Sequence, residues 1–203
     1  MTADIDQRLI DARRDPERLG TLLEAYRHYL RLLARVEIGR RLQGKVDASD
    51  VVQEAFLDAH RHFPHFRGTA EGQFVAWLRE ILAGTLSNQV RRYFGTKARD
   101  PRLEVDFAAD LDQSSYGLAQ MFADPRSSPS AQAHRREQSL LVAEALARLP
   151  EDYQTVLVLR HLEGLSFPQV AVAMGRSVDS VEKLWLRGLT RLKKSFADPE
   201  DSA

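Results

Sequence analysis

The sequence predicts an all-α chain of two small helical domains, and three observations carry that prediction. Apolar residues recur every three or four positions through most of the chain, while no alternating stretch is long enough for a strand. The helical pattern lapses over residues 100–131, where Pro101, Pro125, Pro129, serines and scattered acids gather. It then resumes and ends on a helix-turn-helix pattern over residues 164–194. The expected domains are residues 1–99 and 132–203, joined by a flexible acidic linker over 100–131.

Residues 4–15 are polar and read as a short, loosely held helix. From about 16 to 41, Leu19, Leu22, Leu23, Tyr26, Leu30, Leu33 and Val36 keep helical spacing with arginines between them, and Gly44 ends the segment. The next stretch is DASDVVQEAFLDAHRHFPHFRG, residues 47–68. Asp47 can cap this helix, and Asp50 sits in the first turn, where the helix dipole favours negative charge. Val51, Val52, Ala55, Phe56 and Ala59 form its inner face. Asp50, Gln53, Glu54 and Asp58 form an acidic outer face, either solvated or a dock for a basic partner helix. Pro64 stops the helix.

Residues 66–72 are a loop with two glycines. A helix follows from Gln73 to about Tyr93, with Phe74, Trp77, Leu78, Ile81, Leu82 and Val90 as its apolar set. At its end, Arg91, Arg92, Tyr93 and Phe94 put cations beside aromatic rings. That mixture suits a single nucleic-acid strand, because rings stack on bases and guanidiniums take phosphates. Cations answering a helix dipole are the plainer reading of the same residues. In the linker a short helical turn is expected near residues 116–122.

The second lobe starts at about Gln132. Leu140, Leu141, Ala145, Leu146 and Leu149 lead to Pro150, and a helix with Tyr153, Val156, Leu157 and Leu162 runs to Gly164. Ser166 then caps a short helix, with Pro168 in its first turn and Gln169 placed to close a capping box. Val170, Ala171 and Met174 give that helix its apolar face. Gly175 suits a left-handed turn, and Ser177 caps a longer helix. Val178, Val181, Trp185, Leu189 and Leu192 make the buried stripe there. Asp179, Ser180, Lys183 and Arg187 point away from the stripe, and Arg191, Lys193 and Lys194 extend the basic side. Such a helix fits a major groove, its first side chains meeting base edges.

Twenty-nine basic and twenty-nine acidic side chains cancel to zero net charge, yet they are segregated along the chain. Arg27, Arg31, Arg35, Arg40, Arg41 and Lys45 face only Glu37 in their stretch, and Arg79, Arg91, Arg92, Lys97 and Arg99 face only Glu80. Asp100, Glu104, Asp106, Asp110, Asp112 and Asp124 crowd the linker. Basic lobes on an acidic strap can each attract phosphate at zero net charge. The absence of cysteine excludes disulfides, thiol nucleophiles and Cys-ligated zinc. No run is apolar and long enough to span a membrane and the first residues do not form a signal peptide, so a cytoplasmic protein with no membrane partner is expected. His60 and His62 are two apart on a helix and diverge, so no metal, cofactor or enzyme chemistry is expected. His28, His134 and His161 read as surface or boundary residues.

With these lobes in hand, the chain resembles the extracytoplasmic-function group of the sigma-70 family, the small sigma factors of bacterial RNA polymerase. The stretch over 47–68 is similar to the family's D-x-x-D-L-V-Q-E-x-F-L segment ending in F-R-G, followed by an aromatic-W-L segment, here Phe74 to Leu78. ALARLPEDYQTVLVLRHLEGLSFPQVAVAMGRS is similar to the family's L-P-x-x-x-R-x-V-x-x-L-R and G-x-S-x-x-E-I-A-x-x-L-G-x-S segments. The resemblance implies a promoter-specificity subunit. Asp47, Asp50, Gln53, Glu54 and Phe56 would meet the clamp helices of the polymerase's largest subunit, and the flap region is a second expected contact on core polymerase. Arg67, Gly68, Trp77, Arg91, Arg92 and Tyr93 would serve the melted −10 element. Ser177, Asp179, Ser180, Lys183, Arg187 and Arg191 would read the −35 element as duplex. The linker would thread polymerase channels, and an anti-sigma factor is one regulator the resemblance allows. Glu80, Gly84, Gln154 and Glu182 depart from the family's usual residues. The alternative is a stand-alone helix-turn-helix regulator working without core polymerase.

Overall fold

The computed structural model describes residues 2–42, 46–95, 102–121 and 132–197. Among them are ten α-helices, one 3-10 turn and no strand. The chain forms two compact units, Met1–Ser115 and Tyr116–Ala203. Gly44, Lys45, Lys97, Arg99, Asp100, Pro101, Phe122, Asp124, Pro125 and Pro129 lie outside the described residues.

The first unit holds α1 (Thr2–Arg14), α2 (Pro16–Glu24), α3 (Arg27–Arg41), α4 (Ala48–His62), a 3-10 turn (Phe63–His65) and α5 (Glu71–Phe94). Leu9, Leu22, Leu30, Leu33, Phe74 and Leu82 are among its fully buried side chains. The expectation of a loosely held first helix is corrected. Ile5, Leu9 and Ala12 repeat at helical spacing and are buried, so α1 is fastened by its own apolar stripe despite a polar composition. The single helix read over 16–41 is two. The chain breaks at Ala25 and Tyr26, where the Tyr26 N–H donates to the Leu23 carbonyl at 2.9 Å. That bend turns the Tyr26 ring edge-on to Phe74 at 5.4 Å.

The largest correction concerns the linker. Residues 103–120 form a full helix, α6 (Leu103–Gln120), rather than one turn near its end. Phe107, Leu111, Ser114, Leu118 and Ala119 are its buried side. The division between the two units falls inside this helix, after Ser115. Two of its acids are paired with arginines of the first unit. Asp112 meets the Arg79 guanidinium at 2.6 Å, Asp110 pairs with Arg41, and Arg41 lies over the Phe107 ring at 4.5 Å. Tyr29 donates its hydroxyl proton to Ser115 Oγ at 2.8 Å and accepts from Arg79 at 3.1 Å. Beneath them Glu37 is fully buried beside Arg40 at 3.0 Å. Burial pushes its carboxyl above the ordinary value against the pull of Arg40.

The second unit holds α7 (Gln132–Ala147), α8 (Glu151–His161), α9 (Phe167–Met174), α10 (Val178–Ala197) and the last residues of α6. Among the described side chains of α7, Ser139, Val142, Ala143, Ala145 and Leu146 are buried, while Leu141, one of the apolar residues of its helical pattern, is exposed. Gln154, where the family usually has arginine, keeps a structural task. Its amide donates to the carbonyls of Leu149 at 2.7 Å and Ala147 at 3.2 Å, near a helix end that leaves carbonyls without helical partners. Gln154→Ala should therefore cost about 1 kcal/mol of stability. Denaturant unfolding checks this, and an unchanged midpoint would mean that water serves those carbonyls equally well.

Candidate nucleic-acid interface

The outer face of α4 is set by its cap and its stripe. Asp47 accepts the Ser49 N–H at 2.6 Å, which holds its carboxyl below the ordinary value. Val51, Val52, Ala55, Phe56 and Ala59 turn inward. Asp50, Gln53 and Leu57 are left as an exposed row. Leu57 is the apolar member of that row and was not among the acidic residues expected on this face. Two residues expected to meet a partner do other work. Phe56 is buried under the Arg27 guanidinium at 4.9 Å, so it supports the helix instead of forming its surface. Glu54 accepts from Gln89 and pairs with Arg92 at 3.3 Å, tying α4 to α5.

The loop after α4 is rigid for local reasons. The Phe66 N–H closes the 3-10 turn on the Phe63 carbonyl at 3.0 Å. Gln73, in the first turn of α5, accepts the N–H groups of Thr69 at 2.8 Å and Ala70 at 3.3 Å. Phe66 stacks toward Trp77 with centroids 4.9 Å apart, and Phe63 and Phe74 complete the cluster. Gly68 fits only because it has no side chain. A Cβ there would stand 2.9 Å from the Gln73 Cβ and would run into the Phe66 ring. Two anchors come from far away in sequence, and no local signal marks them. Asp6 accepts the Glu71 N–H at 3.1 Å, and Arg13 donates to the Gly68 carbonyl.

The loop separates two clefts. One, of about 370 Å³, is lined by Arg13, Leu19, His60, Phe63, Phe66 and Arg67. The other, of about 490 Å³, is lined by His62, His65, Arg67, Trp77, Glu80 and Glu104. Trp77 and Ile81, both in the apolar set of α5, are only partly buried. At the end of α5, Arg91 bonds Asn88 at 3.0 Å, while Tyr93 and Phe94 are exposed. Among the described residues no group of three or more His, Asp or Glu side chains is placed to hold a metal, and no helix is long and apolar enough to cross a membrane.

In the second unit the helix-turn-helix forms as its caps dictate. Gln169 Oε1 accepts both the N–H and the hydroxyl of Ser166, at 2.8 and 2.7 Å. Gly175 takes φ 62° and ψ 35°, the left-handed turn. The Ser180 N–H donates to Ser177 Oγ at 3.3 Å, capping α10. Val181 and Leu192 are fully buried, but Val178 is exposed, against its place in the stripe. Gly188 lets α10 lie on Tyr153 and Leu157 of α8. Asp179, Lys183 and Arg187 are exposed together, with Asp179 and Lys183 paired at 2.8 Å. Arg191 leaves that group. Four residues past Arg187 it has rotated about 40° further and lies over the Tyr153 ring at 5.2 Å.

His161 is not a plain boundary residue. Its Nε2 accepts the Trp185 indole N–H at 3.0 Å. Burial, with Arg160 adding to it, holds the imidazole below its ordinary value of 6.5. An unfolded His161 protonates first as pH falls through 6.5, so the second unit loses stability from there down through the lower folded value. Protonation also turns Nε2 into a donor and breaks the Trp185 bond. In a Trp77→Phe background, Trp185 emission and melting temperature should both fall as pH drops below about 6.5, and His161→Gln should flatten the response. An equally steep drop in that variant would assign the effect elsewhere.

The comparisons agree with this layout. Residues 25–93 match the family model "Sigma-70 region 2", and residues 139–192 match "Sigma-70, region 4". The chain is 33% identical over 141 residues to the "ECF RNA polymerase sigma-E factor" of Haemophilus influenzae, covering 70% of each protein. It is 29% identical over 199 residues to the "RNA polymerase sigma-H factor" of Pseudomonas aeruginosa, covering 97% of this chain and 96% of that one. Against the "ECF RNA polymerase sigma-E factor" of Escherichia coli it is 31% identical over 135 residues, 66% of each. The region 2 match spans the whole α3–α5 lobe, which a stand-alone helix-turn-helix regulator leaves without a role. A lobe built around an aromatic-floored loop and a second ending in a helix-turn-helix thus coincide with the two matched regions, and the chain belongs to the extracytoplasmic-function group of the sigma-70 family, the promoter-recognition subunits of RNA polymerase.

Proposed function

We propose that the first unit joins core polymerase and holds the melted −10 element, while the second reads the −35 element as duplex. As a sigma factor the chain is a non-catalytic initiation subunit that acts with core RNA polymerase on promoter DNA. In the finer assignment, Asp47, Asp50, Gln53 and the newly noted Leu57 meet the clamp helices of the largest subunit. Arg67, Gly68 and Trp77 receive an unstacked base, with Arg91, Arg92 and Tyr93 along the strand. Ser177, Asp179, Ser180, Lys183 and Arg187 enter the −35 major groove, and the same lobe meets the flap region. The cytoplasm is its place of work, and an anti-sigma factor its candidate restraint. The observation that carries this reading is the loop over 66–71, an immobilised turn with aromatic rings beneath it and arginines beside it. Unstacking a base costs a few kcal/mol, and a preformed pocket with stacking surfaces offsets that cost.

The test is in-vitro transcription with core polymerase and genomic DNA, with start sites mapped. Initiation should be confined to sites sharing two spaced elements, and no core-dependent initiation would overturn the reading. Two variants separate its parts. Asp50→Lys should weaken core affinity without unfolding the chain, and it is a cleaner probe than Glu54, whose carboxylate holds α5. Arg187→Ala should weaken −35 duplex binding and lower the salt slope by about one. Unchanged duplex affinity would show that a different side of α10 faces the groove.

A further inference from the structure

We infer that α1 is a positioning element for DNA reading, with Asp6 and Arg13 fixing the two ends of the loop over 68–71. This rests on the proposal that the loop receives a melted base. The Asp6 carboxylate accepts the Glu71 N–H at 3.1 Å. That N–H opens α5 and belongs to the set no helix can satisfy internally. Arg13 donates to the Gly68 carbonyl, at the other end of the loop. Asp6 and Arg13 are seven residues apart, two helical turns, so both stand on one face of α1 about 10 Å apart. Ile5, Leu9 and Ala12 bury the adjoining face and keep α1 from rotating. The helix therefore spans the loop as a fixed-length brace.

The loop needs such a brace. Gln73 holds Thr69 and Ala70 from within, but it belongs to the same segment and moves with it. α1 ties both Gly68 and Glu71 to a separate helix, and Tyr26 adds a bond to the Glu71 carboxylate at 3.2 Å. A pocket gains affinity when its walls are ordered before the ligand arrives, because no ordering cost remains. The region 2 match begins at residue 25, so α1 lies outside it while the loop it braces lies inside.

The test uses the full chain, free and assembled with core polymerase, as Asp6→Ala, Arg13→Met and Asp6→Asn. Asparagine keeps an acceptor oxygen and should rescue, whereas alanine removes it. Amide hydrogen exchange over 68–71 in the free chain should quicken about ten-fold in Asp6→Ala and Arg13→Met and stay near wild type in Asp6→Asn. Each holoenzyme is then titrated with labelled single-stranded 12-mers taken from the start sites mapped with wild type, and with shuffled 12-mers. The ratio of the two affinities should fall about ten-fold in the first two variants, with core affinity unchanged and Asp6→Asn restoring it. Unchanged exchange, or faster exchange with an unchanged ratio, overturns the bracing role. If wild type itself shows no preference for its own 12-mers, the loop is not a DNA reader and both the reading and this inference fall.

Discussion

Gly68→Ala should leave a chain that still joins core polymerase but opens its promoters poorly. The added methyl would stand 2.7 Å from Phe66 Cε2 and 2.9 Å from the Gln73 Cβ, both inside van der Waals contact. Trp77 at 4.9 Å and Phe74 at 5.7 Å crowd the Phe66 ring, and the Gln73 Cβ is fixed to the first turn of α5. The loop must move instead, which breaks the Arg13 bond to the Gly68 carbonyl and the Gln73 bonds to Thr69 and Ala70. Overpacking of this kind costs about 1–3 kcal/mol. If that strain falls on the bound state, open-complex formation drops roughly 5- to 150-fold. Permanganate footprinting of the melted segment, with core affinity measured in parallel, reads the two effects separately. Opening at the wild-type rate would remove the loop from the reaction.

What the sequence made legible was local. Ser166 with Gln169, Gly175 and Asp47 act within a few residues, so their roles follow from spacing alone and the structure places them accordingly. Contacts across long stretches of chain were not legible. Asp6 reaches Glu71 across 65 residues and Arg13 reaches Gly68 across 55, and nothing near either marks it. Glu54 read correctly as facing away from the α4 stripe, but α5 lies there and supplies Gln89 and Arg92. Asp110 and Asp112 carry no local sign of pairing because their arginine partners, Arg41 and Arg79, sit 69 and 33 residues away. The stripe of α6 was itself hidden, since Ser114 holds one of its buried positions and prolines flank it. Arg191 shows the remaining limit. Composition placed it with the basic side of α10, but the ring of Tyr153 on α8 draws it off that face.

Phe107→Ala should be among the costliest single truncations in the first unit, although it lies where the sequence reads as linker. The ring is fully buried and carries the Arg41 guanidinium over its face at 4.5 Å. Removing a buried phenylalanine costs about 3–5 kcal/mol, the lost transfer energy together with the cavity left behind. Here the cavity also lies under a charged group. Arg41 serves Asp110 and stands 3.8 Å from Glu37, whose carboxylate is fully buried. Water entering beside Arg41 would weaken both interactions, and a buried carboxylate with a weakened partner is costly. Val105→Ala is the matched control, because Val105 is on the same helix and 68% exposed. It should change stability by less than about 0.5 kcal/mol. Denaturant unfolding followed by Trp77 emission in a Trp185→Phe background reports the first unit in both variants. A flexible strap predicts equal, negligible costs for the two changes, whereas a packed helix predicts that only the loss of Phe107 shifts the midpoint.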